Sequence, residues 1–323
     1  DLAQAEPSYP PAPELLAHLA NIIHRPEMSR YTLIQGTPDL RETFAAHLGE
    51  FYGADITASD VSITAGCNQA FCLALMALAG SGDEVILPAP FYFNHDMWLK
   101  MLGVTAVPLS FQGARGGVPD IEEADGKITD RTRAIVLVSP NNPTGAVYSQ
   151  SCLRSVNELC RERGIYHISD EAYEYFTYEE ATHFSPASLT GSREHTISLF
   201  SLSKAFGFAS WRIGFMVIPT ELSAPVKKIQ DTNVICPPVI SQYAAVGAAA
   251  VGMRPIVQSL SSFLWVAMDQ LVSQAAKMRY MFGGQVDLPI VYRCGIAYGN
   301  NTAAHHTDRP YPMYMNMPGL KIV

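Results

Sequence analysis

Hydrophobic and polar positions follow two periods along this chain, one helical and one strand-like, and the two alternate in order. Residues 14–23 and 40–52 place apolar side chains three to four positions apart, the spacing of amphipathic helices. From there short β-branched or apolar runs alternate with helical stretches. Residues 61–64 predict a strand, Gly66-Cys-Asn-Gln69 a turn, 70–79 an apolar helix, 84–88 a strand and 95–102 a helix. Residues 104–109, 134–138, 166–169, 197–200 and 213–218 complete the strand-like runs. Such runs separated by helices predict an α/β fold, three αβα layers around a mostly parallel buried sheet.

The texture changes beyond about residue 245. Residues 253–257 predict a strand, 263–281 an amphipathic helix and 288–292 another strand, followed by a stretch rich in Gly, Asn, His and Pro and an apolar end at 319–323. This reads as an incomplete β-α-β module. Three parts are expected: an N-terminal arm over 1–30, proline-rich at 7–13, an α/β body over 31–245, and a C-terminal module over 246–323.

Composition narrows the function class. With 323 residues the chain can bury more than one core. Its net charge of −8 argues against a nucleic-acid partner, which calls for a basic stripe. The six cysteines show no Cys-x-x-Cys spacing, so neither a disulfide scaffold nor a metal site is expected, and a reduced, cytoplasmic setting fits best. The opening Asp-Leu-Ala-Gln-Ala-Glu has no signal-peptide pattern, and the apolar run 244–253 is too short to span a bilayer. A soluble protein without a membrane partner is expected.

The chemistry gathers where strands end. Three predicted strands run into polar clusters: Ser139-Pro-Asn-Asn-Pro-Thr-Gly145, Asp170-Glu-Ala-Tyr173 and Ser201-Leu-Ser-Lys204. Ligands of open α/β sheets bind outside the carboxyl ends of strands, so three clusters aimed at one edge predict a small-molecule site. Lys204 stands among hydroxyls, and Trp211-Arg212 follows it. A lysine amine can hold an aldehyde cofactor as a Schiff base, while Ser201, Ser203 and Arg212 neutralise a phosphate. The glycine turn at Gly66 opens an apolar helix whose free N–H groups suit an anion. Each feature alone has a plainer explanation: a surface lysine, a turn asparagine, or Asp170 capping a helix.

Taken together and in this order, the motifs resemble the class I/II aminotransferases of the fold-type I pyridoxal-phosphate enzymes, over about residues 1–245. The resemblance implies pyridoxal 5'-phosphate as cofactor, an amino acid and a 2-oxo acid as substrates, and a homodimer with a shared active site. It makes 31–245 the cofactor-binding large domain and places part of a small domain in 1–30. Lys204 resembles the lysine that binds the cofactor and shuttles the α-proton, and Asp170 the carboxylate that keeps the pyridine nitrogen protonated. Tyr173 and Asn142 resemble the pair that hydrogen-bonds the phenolate oxygen. The turn at Gly66 resembles the family's phosphate loop, which implies backbone amides of Cys67 and Asn68 as phosphate contacts, and Tyr92 resembles the stacking aromatic, with Phe91 and Phe93 as the neighbouring alternatives. Tyr31 resembles the tyrosine that reaches the phosphate of the neighbouring subunit.

The tail departs from this pattern. Gly252-Met-Arg-Pro-Ile-Val, Ala275-Ala-Lys-Met-Arg-Tyr-Met-Phe-Gly-Gly and Pro318-Gly-Leu-Lys-Ile-Val resemble the beta subunit of thiamine-dependent 2-oxo-acid dehydrogenases, with Phe263 and His306 near that family's cofactor residues. The aminotransferase arginine for the substrate carboxylate has no recognisable counterpart there, so slow amino transfer is expected. Two other readings stay open, a fragment of the thiamine-dependent enzyme and a non-catalytic binding or assembly protein.

Overall fold

The computed structural model describes residues 10–113, 117–178, 180–250, 256–260 and 291–295. The chain forms two compact units, Asp1–Val251 and Gly252–Val323.

In the first unit seven strands make one sheet: β1 (Val61–Thr64), β2 (Glu84–Pro88), β3 (Thr105–Leu109), β4 (Thr132–Val138), β5 (Tyr166–Asp170), β6 (Thr196–Ser201) and β7 (Gly214–Val217). Their spatial order is β1-β7-β6-β5-β4-β2-β3. The pairings β3-β2-β4-β5-β6 are all parallel, as the apolar runs predict. β7 alone runs the other way, antiparallel to both β6 and β1.

Adjacent residues of the strands feed different cores, as the two-residue period demands. Val85, Leu87 and Val136 join Leu73, Leu99, Ile168 and Val226 in one cluster, whereas Ile86, Ile135 and Leu137 join Leu153, Val156 and Leu159 in another. Helices therefore cover both faces. α3 (Cys67–Leu78), α4 (Phe93–Met101) and α7 (Ser223–Val234) pack on the first, α5 (Ile121–Gly126) and α6 (Gln150–Arg163) on the second. Burial of each such leucine contributes about 1.5–3 kcal/mol. At the edge, Pro108 of β3 is tolerated because its missing N–H faces no further strand.

The remaining helices are α1 (Pro13–Ile22), α2 (Pro38–Tyr52) and α8 (Val239–Ala250). Gln242 of α8, fully buried, accepts from the Thr37 amide at 2.9 Å and donates to Thr32 Oγ1 at 3.0 Å, fixing the entry to α2.

Four helices, α5 to α8, occupy stretches to which the hydrophobic pattern assigns no element. α6 starts on Ser149, whose hydroxyl accepts from the Cys152 amide at 3.2 Å, and stops on Gly164 at φ +66°. Its caps are local signals; its apolar face shows only where β4 and β5 provide a surface to cover.

The second unit contains β8 (Ile256–Leu260) and β9 (Val291–Gly295), paired in parallel. Both overlap the strands expected at 253–257 and 288–292, whose first three residues lie outside the described residues. The expected helix over 263–281, Phe263, His306 and the apolar end at 319–323 lie outside the described residues.

Candidate active site

The parallel strands bring the carboxyl ends of β1, β2, β4, β5 and β6 to one edge. Because β7 is reversed, its entrance lies at that same edge, and Arg212 arrives from the turn that precedes it. A cavity of about 270 Å³ opens there. Cys67, Asn68, Tyr92, Asn142, Asp170, Tyr173, Ser201, Ser203, Lys204 and Arg212 all line it. Residues from five separate motifs thus meet around one space.

One end of the cavity gathers Gly66, the start of α3 and Arg212. Gly66 adopts φ +84°, and a Cβ there would lie 2.2 Å from Arg212 Nη2. The position needs glycine for its conformation and for the guanidinium beside it. No side chain caps α3 at Gly66, so the first N–H groups of the helix stay available. Arg212 itself sits at φ +50°, a left-handed conformation that costs a non-glycine residue about 1–2 kcal/mol. Three hydrogen bonds hold it: Nη1 donates to Ser203 Oγ at 3.3 Å and Ala209 O at 2.9 Å, and Nη2 to Ala65 O at 3.2 Å. Ser201 Oγ accepts from the Ser203 amide at 3.1 Å, shaping the turn before Lys204. A Cβ on Gly214 would lie 2.7 Å from Phe200 O and 3.1 Å from the Cys67 amide nitrogen, so β7 presses against the start of α3 through a glycine.

The other end carries the carboxylate. Asp170, 5% exposed, terminates β5 and is followed by a turn, not by the helix that a capping role would require. Its Oδ1 accepts from the Ala172 amide at 3.1 Å and from Cys67 Sγ at 3.4 Å; its Oδ2 faces His95 Nε2 at 3.1 Å. His95 in turn stacks on Phe71 with centroids 4.0 Å apart. Burial first, and the Asp170 charge next, push the Cys67 thiol well above its ordinary range, so it keeps its proton.

Between the two ends, Asn142 Nδ2 donates to Tyr173 OH at 3.4 Å, and Lys204 Nζ lies 5.7 Å from the centre of the Tyr173 ring. Burial, then Asp170, pushes the Tyr173 phenol up to about 12, so it remains a donor at neutral pH. Tyr92 lines the cavity, while Phe93 is exposed and Phe91 packs on the core. Asn94 Nδ2 donates to Tyr92 OH at 2.7 Å, and the ring meets His95 edge-on at 5.3 Å.

Sequence reasoning misses His95, Asn94 and Trp98. Trp98 Nε1 donates to Asn68 Oδ1 at 3.0 Å. The only local signal is that α4 follows directly on Tyr92; nothing in the spacing says that His95 meets Asp170, 75 residues away. Tyr31 is not among the residues lining the cavity and is 76% exposed.

Behind the site lies a buried acidic turn. Glu171, fully buried, faces His183 Nε2 at 2.8 Å, and Glu174 accepts from Tyr52 OH. Burial lifts the Glu174 carboxyl to about 8. Among the described residues there is no cluster that could hold a metal ion, and no helix is long and apolar enough to cross a membrane.

Known proteins resemble this chain in sequence and in fold. Residues 1–291 match the family described as Aminotransferase class I and II, a match that runs past the expected boundary at 245. A probable aspartate/prephenate aminotransferase of Aquifex aeolicus is 35% identical over 221 residues, 68% of this chain and 56% of its own length. The aspartate aminotransferase of Thermotoga maritima is 30% identical over 278 residues, 86% of this chain and 73% of its own. The solved structure of an aspartate aminotransferase from Thermus thermophilus with maleate superposes with a TM-score of 0.75 at 29% identity, covering 87% of this chain and 71% of that one. This chain therefore spans little more than half the length of the Aquifex relative. With the family model matched over most of the chain and relatives similar in both sequence and fold, the chain belongs to the class I and II aminotransferases, a family that uses pyridoxal phosphate.

Proposed function

We propose that this protein is a pyridoxal-phosphate-dependent aminotransferase that moves an amino group between an amino acid and a 2-oxo acid. The observation that carries the reading is the convergence of Lys204, Asp170 and Arg212 on one cavity from three separate segments. The residues fit the cofactor. The glycine cradle at Gly66, the uncapped start of α3, Ser201, Ser203 and Arg212 form a phosphate seat, and a buried carboxylate stands at the ring end.

When bound, the cofactor supplies an aldehyde for amine exchange and a ring that takes up electrons from the substrate Cα. The protein's part is positioning and proton transfer. Lys204 holds the cofactor and carries the α-proton; Asp170 holds the proton on the ring nitrogen. Tyr92 covers the ring face, kept in place by Asn94. Tyr173, oriented by Asn142, donates to the phenolic oxygen. Each role asks for a donor or charge at the wall where that residue stands.

A homodimer with a shared site is part of the same reading. Tyr31 is exposed outside its own cavity, and Leu33 beside it is 58% exposed, which supports a contact with a neighbouring copy. A soluble, cytoplasmic protein remains the expectation. The resemblance of 246–323 to the thiamine-dependent dehydrogenase subunit rests on sequence motifs alone.

The test is direct. Protein loaded with pyridoxal phosphate is reduced with borohydride and mapped by peptide mass; the adduct is expected on Lys204. Single-turnover conversion with a panel of amino acids then reads the activity, with aspartate first because the Aquifex and Thermotoga relatives carry it in their names. An adduct elsewhere, or no conversion with any amino acid, overturns the proposal.

A further inference from the structure

Three donors converge on Asp170, and they divide unequally between its oxygens. Oδ1 receives the Ala172 amide at 3.1 Å and Cys67 Sγ at 3.4 Å, while Oδ2 faces only His95 Nε2, at 3.1 Å, among these contacts. An ionised carboxylate offers about four lone-pair sites, two to each oxygen. Oδ1 is filled, and Oδ2 has capacity for one more donor.

We infer that Cys67 is a positioning residue for Asp170: its thiol saturates Oδ1 and leaves Oδ2 as the oxygen that meets the protonated ring nitrogen of the bound cofactor. This rests on the proposed role of Asp170. Cys67 holds a special place for the task. It is the first residue of α3, so its backbone belongs to the phosphate-facing helix start while its side chain reaches the carboxylate at the ring end. One residue thus ties the spacing of the two ends together. Cys67 as a residue is 9% exposed and lines the cavity, and its thiol keeps its proton for the reasons given above. Cys72, Cys152, Cys160 and Cys236 are also buried but do not line this cavity.

The first experiment needs no cofactor. Alkylation of Cys67 by iodoacetamide is followed by peptide mass mapping across pH in the cofactor-free protein, comparing wild type with Asp170→Asn. Removing the carboxylate charge makes the thiol easier to ionise, so labelling at pH 8 rises, about tenfold for every pH unit by which the thiol's midpoint falls. Equal rates and equal pH profiles mean that thiol and carboxylate do not interact, and the inference fails.

The second experiment uses the conservative pair. Cys67→Ala loses the donor and is expected to bind pyridoxal phosphate about 3- to 10-fold more weakly, the effect of one modest hydrogen bond. Cys67→Ser keeps a donor and is expected to stay within about twofold of wild type. If both variants weaken binding alike, or neither does, Cys67 only fills space and the inference is overturned. Failure of wild type itself to retain the cofactor would instead sink the proposed function, and the labelling comparison would still judge the thiol–carboxylate contact.

Discussion

Two cavities of similar size flank the sheet, and their charges are treated in opposite ways. The active-site cavity, about 270 Å³, lies at the carboxyl ends of the strands; the second, about 220 Å³, lies where β1 and β6 begin. In the second, Asp60 is 3% exposed and accepts from Arg193, from the Thr57 amide at 2.9 Å and from Thr57 Oγ1 at 2.7 Å. Burial pulls that carboxyl up, but these hydrogen bonds win and leave it below its ordinary range. Its charge is met from within. In the first, Arg212 bonds neutral oxygens, and Asp170 keeps capacity on one oxygen. Volume does not distinguish the two; charge left for a ligand does.

The largest expected effect is at Lys204. Lys204→Ala removes the group proposed to anchor the cofactor and carry the proton, so single-turnover amino transfer should fall by at least about 10²–10⁴-fold. Retention of more than a tenth of the wild-type rate would break the assignment of this cavity.

Next comes the phosphate end. Arg212→Ala, and separately Gly66→Ala, should weaken pyridoxal-phosphate binding by about 10- to 100-fold, the effect of one charge-assisted contact. In Gly66→Ala the new Cβ displaces the guanidinium, so the two substitutions together should weaken binding by less than the product of their separate effects. Equilibrium titration of the four proteins measures this.

The second cavity should respond in the opposite sense. Asp60→Asn is expected to leave cofactor binding within about twofold while destabilising the fold by about 1–3 kcal/mol, read by urea unfolding. The folded-state pKa of Asp60 is depressed, so its contribution is present above the unfolded value near about 3.9 and is lost as pH falls through the lower folded value. The gap between variant and wild type should therefore close in acid. A tenfold change in cofactor binding would erase the contrast between the cavities.

A change confined to the pH dependence of stability is expected at Glu174, in the buried turn behind the site. Its folded pKa is raised to about 8, so its stabilising contribution is full below the unfolded value near about 4.3 and is lost as pH rises towards 8. Glu174→Gln should flatten the decline of the melting temperature between pH 5 and 8. A parallel decline in both proteins would place the titration elsewhere.

Much of this molecule is legible along the chain, and for a consistent reason. Buried strands favour β-branched and apolar residues, so β2 and β4 announce themselves as apolar runs, while β1 and β5 alternate apolar residues with the buried polar Ser62, Thr64, His167 and Ser169. The polar residues that follow them stand out because nothing in a core would select Asn142, Asp170 or Lys204. Helix α6 is legible in principle from Ser149 and Gly164, yet the apolar spacing between them is interrupted by polar residues, including the buried Asn157.

What the sequence by itself determined is the set of chemical groups and the edge of the sheet they would reach, because strand ends and glycine turns are local properties. What only the tertiary structure decided is who meets whom. The reversal of β7 delivers Arg212 to the Gly66 end of the cavity, and strand order brings Cys67 of α3 and His95 of α4 to the end of β5, where they close on Asp170 from 103 and 75 positions away. Hydrogen bonds act over about 3 Å of space, whatever the separation along the chain, so no local pattern could encode those contacts.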